Sequence, residues 1–442
     1  MEQLDFSYQG TTPYSEADMA SLQPQLDEEL TRLMHASGSG YADDRASINL
    51  PSDADALRSV KQVIEEKKRL NLSHIIVVGI GGSNLGTIAV QEAVLGRLYN
   101  QHTEGIKILY ADTVDASVLA DIIRIIEPSL EAGRRVILNG VSKSGGTTET
   151  IANLQVLIEY VKGFDADYKE AVVVTTDRGS RFWDLAAKEG FSVLEIPRKV
   201  GGRYSVFSPV GLFPLGLIGA DIDSLLKGAE AMRRRCLQAS ISDNPAMQSA
   251  ALLKLNLDAG HPIADQFLFA SDLESVGKWY RQLMGESVGK EHNLSGKQVF
   301  SGMTPTVSIG STDLHSMAQL YLGGPKDKYT TFVRIKNDPS PTEVPSLEGF
   351  GDLVGSIQGK TIHSLMDAIL QGVQAAFSKG RRPYSTISLP AVSAETIGQL
   401  LQMKMMEMMF LGALMGVNPF DQPNVEEYKI ETKRILKEQD SR

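Results

Sequence analysis

The stretch that decides the fold runs Arg135-Val136-Ile137-Leu138-Asn139-Gly140-Val141-Ser142-Lys143-Ser144-Gly145-Gly146-Thr147-Thr148-Glu149-Thr150. Its apolar first half predicts a buried strand, and the spacing of apolar residues over 151–162 predicts a helix. Between them lie hydroxyl groups, two glycines and one lysine, as in phosphate-binding turns: glycine lets the backbone approach an anion, and the helix N-terminus adds partial positive charge. Taken alone, the segment also fits a helix-capping cluster on an ordinary strand–helix turn.

This strand–turn–helix segment belongs to a longer alternation of strands and helices. Apolar runs predict a first series of strands at 74–79, 105–110, 136–141, 171–175 and 193–196. A second series is predicted at 267–271, 306–310, 330–336 and 384–389, and the chain ends in predicted helices over 394–415 and 424–437. Continuous apolar strands that alternate with helices indicate parallel sheets covered on both faces, so we assign the chain to the α/β class with two units. We expect the link between the units near residues 225–250.

Net charge and cysteine content argue against several classes of function. The 442 residues include 44 basic and 54 acidic side chains, and the net charge of −10 opposes nucleic-acid binding, which needs a basic face. Cys236 is the only cysteine and the N-terminus shows no signal-peptide pattern, so we expect a protein of the reducing cytoplasm. No apolar run is long enough to span a membrane, and the seven histidines lack metal-ligand spacing, so we expect neither a membrane nor a metal partner.

A second glycine-rich turn follows the first predicted strand and reads Gly79-Ile80-Gly81-Gly82-Ser83-Asn84-Leu85-Gly86-Thr87. Asn84 stands where a dinucleotide-binding fingerprint needs glycine, and Thr87 stands where a nucleotide P-loop needs lysine. In open parallel sheets, ligands bind outside the carboxyl ends of the strands. Two donor-rich turns at one edge therefore predict a site for a single phosphate and not for a dinucleotide.

Four further side chains are candidates for chemistry, and each also has an ordinary structural interpretation. Arg203 follows a glycine pair that would let it lie against a ligand, but it also fits a structural ion pair. Glu286 is predicted at the end of a helix, where a carboxylate opposes the helix dipole, so a functional requirement is one explanation. His315 lies where a strand passes into a helix and Lys429 lies on a polar helix; a turn histidine and a solvated lysine are their default interpretations.

Six separated segments, taken in chain order, resemble the glucose-6-phosphate isomerase (phosphoglucose isomerase) family of the bacterial type. They are 79–86, 142–150, 200–205, 277–290, 311–319 and 416–429. The resemblance covers about residues 70–430 and implies two sugar-isomerase domains, each a parallel sheet flanked by helices, with N- and C-terminal helical extensions. The implied domains are a helical appendage at 1–50, a phosphate-binding first domain at 51–230, a second domain at 231–390 and terminal helices at 391–442.

The resemblance also implies an activity: reversible conversion of glucose 6-phosphate to fructose 6-phosphate through a cis-enediolate, in glycolysis and gluconeogenesis, without a cofactor. Glu286 matches the base that moves a proton between carbons 2 and 1, and Arg203 matches the residue beside the enediolate oxygens. His315 and Lys429 match the pair assigned to ring opening and the ring oxygen. The residues implied in binding the hexose 6-phosphate are Gly82, Ser83, Ser142, Lys143, Ser144, Thr147, Glu149 and Gln282. Because the family's histidine enters from the neighbouring subunit, the resemblance implies a homodimer with a shared active site.

Two features depart from the family pattern. Gly146 stands where threonine is usual, which removes one hydroxyl from the phosphate turn. The 29-residue spacing from Glu286 to His315 is longer than usual, and the extra length within about 291–304 predicts a loop insertion. Two alternatives stay open: another sugar-phosphate isomerase, since the motifs do not fix specificity at carbon 2, and a non-catalytic sugar-phosphate sensor, which would not need all four chemical side chains together.

Overall fold

Two five-stranded sheets form the framework of the protein, seen in a computed structural model that describes residues 3–338 and 340–439. The strands are β1 (Asp5–Ser7), β2 (Leu72–Val78), β3 (Lys107–Ala111), β4 (Arg135–Val141), β5 (Val172–Asp177), β6 (Ser192–Ile196), β7 (Ile263–Leu268), β8 (Lys290–His292), β9 (Gln298–Ser301), β10 (Thr304–Ile309), β11 (Lys328–Ile335) and β12 (Tyr384–Leu389). The helices are α1 (Glu16–Ala20), α2 (Gln23–Ser37), α3 (Ala54–Lys67), α4 (Leu85–Leu95), α5 (Tyr99–His102), α6 (Ala116–Glu131), α7 (Thr148–Lys162), α8 (Arg181–Glu189), α9 (Pro209–Leu217), α10 (Ile222–Arg235), α11 (Pro245–Asp258), α12 (Glu274–Val288), α13 (Ala318–Gly323), α14 (Ile362–Lys379), α15 (Ala394–Met415) and α16 (Glu426–Gln439).

The first sheet has the strand order β3-β2-β4-β5-β6, and all of its strand pairs are parallel. Every residue of β2 is buried, because helices cover both faces of the sheet. On one face, Ile76 and Leu138 pack into a cluster with residues of α6, α7 and α8. On the other face, Ile75 and Ile137 join the main core of the protein. This is the α/β arrangement that the apolar strands predict.

The second sheet has the order β1-β12-β11-β7-β10, with β1 antiparallel at its edge and the other pairs parallel. Aromatic rings from β7, β11 and β12 pack with α13 and α14 on one face, and the opposite face adds Leu268 and Val333 to the main core. The N-terminal segment, for which we predicted a helical appendage, also contributes β1 to this sheet by pairing Phe6 with Ile387. The domain boundaries given above remain predictions.

Both sheets place their first parallel strand between the second and the third. In the first sheet β2 lies between β3 and β4, and in the second β7 lies between β10 and β11. Where the connections that follow two neighbouring strands run to opposite faces of such a sheet, a crevice opens between them at the carboxyl edge. In the first sheet, this crevice lies between the two donor-rich turns found in the sequence.

The helices that follow β2 and β7, α4 and α12, pack against each other in antiparallel fashion. The end of α4 is tied to the start of α12 by the ion pair of Arg97 with Glu274 at 3.0 Å. At the opposite end, Gln282 Nε2 lies 3.0 Å from where a Cβ atom on Gly81 would be. The C-terminal half of α12 therefore lies beside the glycine turn of the first sheet.

The long helix α15 is buried along most of its length and holds the units together. Its methionines fill the core against α10, α11 and α12, as expected for a flexible apolar side chain. In the part of the chain that the structure describes, no helix is both long and apolar enough to cross a bilayer.

Candidate active site

The turn after β2 brings the backbone of Gly82 against the loop that carries Arg203. A Cβ atom on Gly82 would lie 2.2 Å from the carbonyl carbon of Gly202 and 2.6 Å from the backbone nitrogen of Arg203, so glycine is required here. Ser205 Oγ donates to the Gly82 carbonyl oxygen at 3.3 Å and ties the same two segments together. Ser83 follows directly and is half-buried. The glycine turn thus forms one wall of a site whose next wall is the arginine loop.

The turn after β4 is closed by its own polar groups. Ser142 Oγ and Thr147 Oγ1 are 2.9 Å apart, and the Gly145 N–H donates to the Ser142 carbonyl oxygen at 3.2 Å. Gly145 has φ +68°, and a Cβ atom there would lie 2.9 Å from Phe182 Cβ, so the turn requires glycine. Thr147 is the N-cap of α7, yet its side chain makes no capping bond. The first N–H groups of α7 therefore have no acceptor in the Thr147 side chain and can donate to an anion.

Lys143 adds a cation to this turn. Its half-buried side chain has no hydrogen-bond or ion-pair partner among residues 3–338 and 340–439, and burial lowers the pKa of its ammonium, with Asp177 acting in the opposite direction. Asp177 lies beside it on β5, where burial raises the carboxyl pKa to about 6. Ser144 is exposed and Glu149 is half-buried in the first turn of α7; neither side chain has a hydrogen-bond partner within those residues. An unpaired, partly desolvated ammonium is well placed to receive a phosphate.

Arg203 is buried and held from several sides. Its side chain is 2% exposed. Nε donates to Ser287 Oγ at 2.9 Å, and Nη1 donates to Gln422 Oε1 at 2.8 Å. Nη2 donates to the backbone carbonyl oxygens of Pro419 at 2.5 Å and Asp421 at 3.2 Å. The position of the guanidinium is therefore fixed by α12 on one side and by the loop before α16 on the other.

Glu286 lies in the last turn of α12, in direct contact with this arginine. Its Oε2 accepts a hydrogen bond from Arg203 Nη1 at 3.2 Å, and its Oε1 accepts one from Gln282 Nε2 at 3.1 Å. The Glu286 side chain is 34% exposed, so the ion pair is open on one side. A carboxylate held against a fixed guanidinium can take a proton from carbon while the cation stabilises the oxyanion that forms.

His315 and Lys429 stand apart from this pair. Within the described residues, no hydrogen bond or ion pair joins either side chain to Glu286 or Arg203. His315 is exposed in the turn after β10, and its ring has no hydrogen-bond partner in the same ranges. Lys429 lies on α16, a helix without buried residues among those described, and pairs with Glu426 at 2.7 Å. The roles of His315 and Lys429 stay predictions.

Sequence reasoning missed the residues that hold the arginine and the helix end. These are Ser287, Lys290, Asp421 and Gln422. All of them lie in the segments 277–290 and 416–429 that carried the family resemblance. The signal that was available is chemical: an arginine that follows a glycine pair needs several acceptors if it is buried.

Residues 3–338 and 340–439 contain no group of three or more His, Cys, Asp or Glu side chains that could hold a metal ion.

Comparison with known proteins gives consistent matches over most of the chain. Residues 55–442 match the family model described as phosphoglucose isomerase. A glucose-6-phosphate isomerase of Carboxydothermus hydrogenoformans is 35% identical over 391 residues, which are 87% of this chain and 82% of that protein. The crystal structure of a hypothetical protein of Thermus thermophilus superposes with a TM-score of 0.88 at 31% identity, covering 98% of this chain and 100% of that one. A glucose-6-phosphate isomerase structure from Chlamydia trachomatis gives a TM-score of 0.85 at 22% identity, covers 100% of this chain and 89% of that one, and shows a shared fold.

Proposed function

Because the chain belongs to the phosphoglucose isomerase family, we propose that it interconverts glucose 6-phosphate and fructose 6-phosphate. The observation that carries the proposal is the contact of Glu286 Oε2 with Arg203 Nη1 at 3.2 Å, beside the glycine turn of the first sheet. Moving a carbonyl between neighbouring carbons needs a base for a carbon-bound proton and a cation for the enediolate. This pair supplies both.

In the proposed reaction, Glu286 takes the proton from carbon 2 and returns it to carbon 1 through a cis-enediolate. Each of its carboxylate oxygens accepts one protein hydrogen bond, which leaves a second lone pair on each oxygen for the travelling proton. General base catalysis of this kind contributes about 10²–10⁴-fold. Gln282, one helical turn before Glu286, would keep the carboxylate oriented during the transfer.

Arg203 would stabilise the negative charge that develops on the enediolate oxygens. Its donors are already engaged with α12 and with the loop before α16, so the cation needs no reorganisation when charge forms. All five of its N–H groups have protein acceptors, so Arg203 would act on the enediolate as a fixed positive charge. The pair supplies the base and the electrostatic stabilisation, so we propose that the enzyme works without a metal ion.

The phosphate takes no part in the chemistry and would bind in the turn after β4. We assign its binding to Ser142, Lys143, Ser144 and Thr147, with Ser83 nearby. The hydroxyl pair at 2.9 Å and the half-buried ammonium of Lys143, which has no partner among the described residues, support this assignment. Gly82 would line the sugar chain, and Glu149 and Gln282 would contact hydroxyl groups or the histidine. Binding energy from this remote group holds carbons 1 and 2 against Glu286, which raises reactivity through positioning.

Ring opening requires groups beyond this pair, and we assign it to His315 and Lys429. The exposure of His315 in one chain supports its delivery to the site of a neighbouring subunit, so we propose a homodimer with shared active sites. We place this dimer in the cytoplasm, in glycolysis and gluconeogenesis. Residues 51–230 and 231–390 would be its two sugar-isomerase domains.

A coupled assay with fructose 6-phosphate tests the proposal. Glucose 6-phosphate and mannose 6-phosphate are followed separately, and we expect glucose 6-phosphate as the main product. Mannose 6-phosphate as the main product would indicate another sugar-phosphate isomerase. Binding of fructose 6-phosphate without turnover would indicate a sensor.

A further inference from the structure

Lys290 is a buried lysine between the base and the loop that holds the arginine. Its side chain is 4% exposed, and Nζ contacts Asp421 Oδ1 at 3.0 Å. The same ammonium donates to the backbone carbonyl oxygen of Glu286 at 2.8 Å and to that of Asp421. An ammonium has three donors, so Lys290 makes its full set of hydrogen bonds within this corner of the protein.

Both carbonyl groups that Lys290 binds belong to segments that place the proposed catalytic pair. The Glu286 carbonyl lies in the last turn of α12, where carbonyl groups have no partner within the helix and the helix dipole is negative. The Asp421 carbonyl also accepts from Arg203 Nη2 at 3.2 Å. With the contact of Arg203 and Glu286, these bonds close a ring that runs through Lys290, Glu286, Arg203 and Asp421.

Space filling alone does not explain a lysine at this position. Burying an ammonium costs free energy unless it is paired and hydrogen-bonded, and an apolar side chain of similar length would fill the same volume without that cost. Burial does lower the pKa of Lys290, while Asp421 acts against the shift. What an apolar side chain would lack is a donor that joins the end of α12 to the Asp421 loop.

We propose that Lys290 is a positioning residue of the isomerase, which holds the last turn of α12 and the loop 419–422 at the separation that lets Glu286 and Arg203 act on the same two carbon atoms. This inference rests on the proposed function. Lys290 touches neither reacting carbon; it acts through the backbone of Glu286 and Asp421.

The test compares three variants by steady-state kinetics, inhibition by inorganic phosphate and thermal unfolding. In K290M we expect kcat to fall about 10²-fold, because the reacting groups are displaced from the substrate carbons. KM for fructose 6-phosphate and the inhibition constant of inorganic phosphate should stay within about twofold, because the phosphate site lies elsewhere and is unchanged. K290R keeps a charged donor at this position and should recover about tenfold of the lost rate.

The matched control is K67M, since Lys67 is 2% exposed, pairs with Glu66 at 2.6 Å and lies on α3. This control should unfold at lower temperature with unchanged kcat.

Wild-type kcat in K290M would overturn the inference, as would equal loss of kcat in K290M and K67M. If K290M does not fold, D421N decides the question. The half-exposed Asp421 side chain tolerates an amide, and loss of its negative charge weakens one contact of Lys290. We then expect a fall in kcat of about fivefold at unchanged KM, and wild-type kcat in D421N would overturn the inference. Absence of isomerase activity in the wild-type protein would instead refute the proposed function, so the two failures are distinguishable.

Discussion

The first four parallel strands of the two sheets follow the same order, but the turns after these strands carry different residues. In the first sheet, a glycine-rich turn follows β2, and a hydroxyl-rich turn that contains the half-buried Lys143 follows β4. In the second sheet, the matching turn after β7 is the short 3-10 helix Ser271–Leu273, without paired glycines. The second sheet contributes instead its crossover helix α12, whose last turn carries Glu286. Strand order therefore sets where a crevice forms, and the residues of the turns decide whether the crevice offers hydrogen-bond donors and a cation.

The antiparallel packing of α4 and α12 brings the donor-rich turns of the first sheet close to Glu286. The N-terminal end of α4, with its partial positive charge, lies beside the C-terminal end of α12, which is partially negative. A carboxylate in the last turn of a helix is unfavourable by itself, but here it has Arg203 at 3.2 Å and the start of α4 nearby. One unit thus would bind the substrate and the other would supply the base, and this division of labour is open to experiment.

Loss of the base should have the largest effect. We expect E286Q to lose about 10³-fold or more in kcat while it binds sugar phosphate nearly normally, because the amide cannot accept the carbon-bound proton. E274Q, at the other end of the same helix, is the control and should keep its turnover. Kinetics and inhibitor binding check both variants, and turnover of E286Q above a tenth of wild type would contradict the role of α12.

Mixing two inactive variants tests whether a second copy completes the site. We expect H315A and E286Q to be inactive singly and, when unfolded together and refolded, to recover about a quarter of wild-type activity, since half of the dimers would be mixed and each would hold one intact site. Activity of the mixture is compared with that of each refolded variant alone. No recovery from well-folded dimers would mean that His315 serves its own subunit or has no role.

Removal of hydroxyl groups tests whether the substrate phosphate binds at the first sheet and not at the second. In the double variant S142A/T147A we expect KM for fructose 6-phosphate to rise about 10–100-fold, because two hydrogen bonds that contribute about 1 kcal/mol each are lost, with a smaller change in kcat. S271A removes a hydroxyl from the turn after β7 in the second sheet, which matches the turn after β2, and should leave KM unchanged. Unchanged inhibition of the double variant by inorganic phosphate would refute the anchoring role of the turn after β4.

A buried carboxylate in the second sheet should affect stability and not binding. Burial raises the pKa of Asp265 to about 6, although Thr306 Oγ1 and Ser308 Oγ donate to it at 2.7 and 3.0 Å. The folded state therefore holds this proton more tightly than the unfolded state, and the unfolding free energy falls as pH rises from about 4 through 6. We expect D265N to remove about 1–3 kcal/mol of this pH dependence, measured by denaturation at pH 4.5 and 7.5, with KM unchanged. Equal pH dependence in wild type and D265N would contradict the assignment of this titration to Asp265.

Most of the sheet framework could be predicted from the sequence, because central parallel strands are continuous apolar runs. Strand β2 and the stretch that became β4 and α7 were found in this way. Strand β1 was missed, since its three residues form a strand only through pairing with β12, far along the chain. The insertion within 291–304 was predicted as a loop, but its ends pair as the hairpin of β8 and β9. The helix that we predicted around His315, after the strand at 306–310, begins only at Ala318, because residues 312–314 form a separate 3-10 turn.

The site was predictable where local composition defines it and hidden where distant segments meet. Glycines and hydroxyls mark the two turns within short windows of sequence. The acceptors of Arg203 at Pro419 and Gln422 lie more than two hundred positions away, and no local pattern pairs them. Lys290 was unremarked for the same reason, since its burial follows from the packing of the loop that contains Asp421.

Transfer of deuterium from carbon 2 tests the central claim most directly. Glucose 6-phosphate labelled with deuterium at carbon 2 is incubated with the wild-type protein and with E286Q, and the fructose 6-phosphate formed is analysed by mass spectrometry and NMR. We predict that the wild-type protein moves part of the label to carbon 1 and loses the rest to solvent, because one carboxylate carries the proton between the two carbons. E286Q should neither transfer the label nor form product at a comparable rate. Equal transfer by the two proteins would contradict the assignment of the base to the second unit.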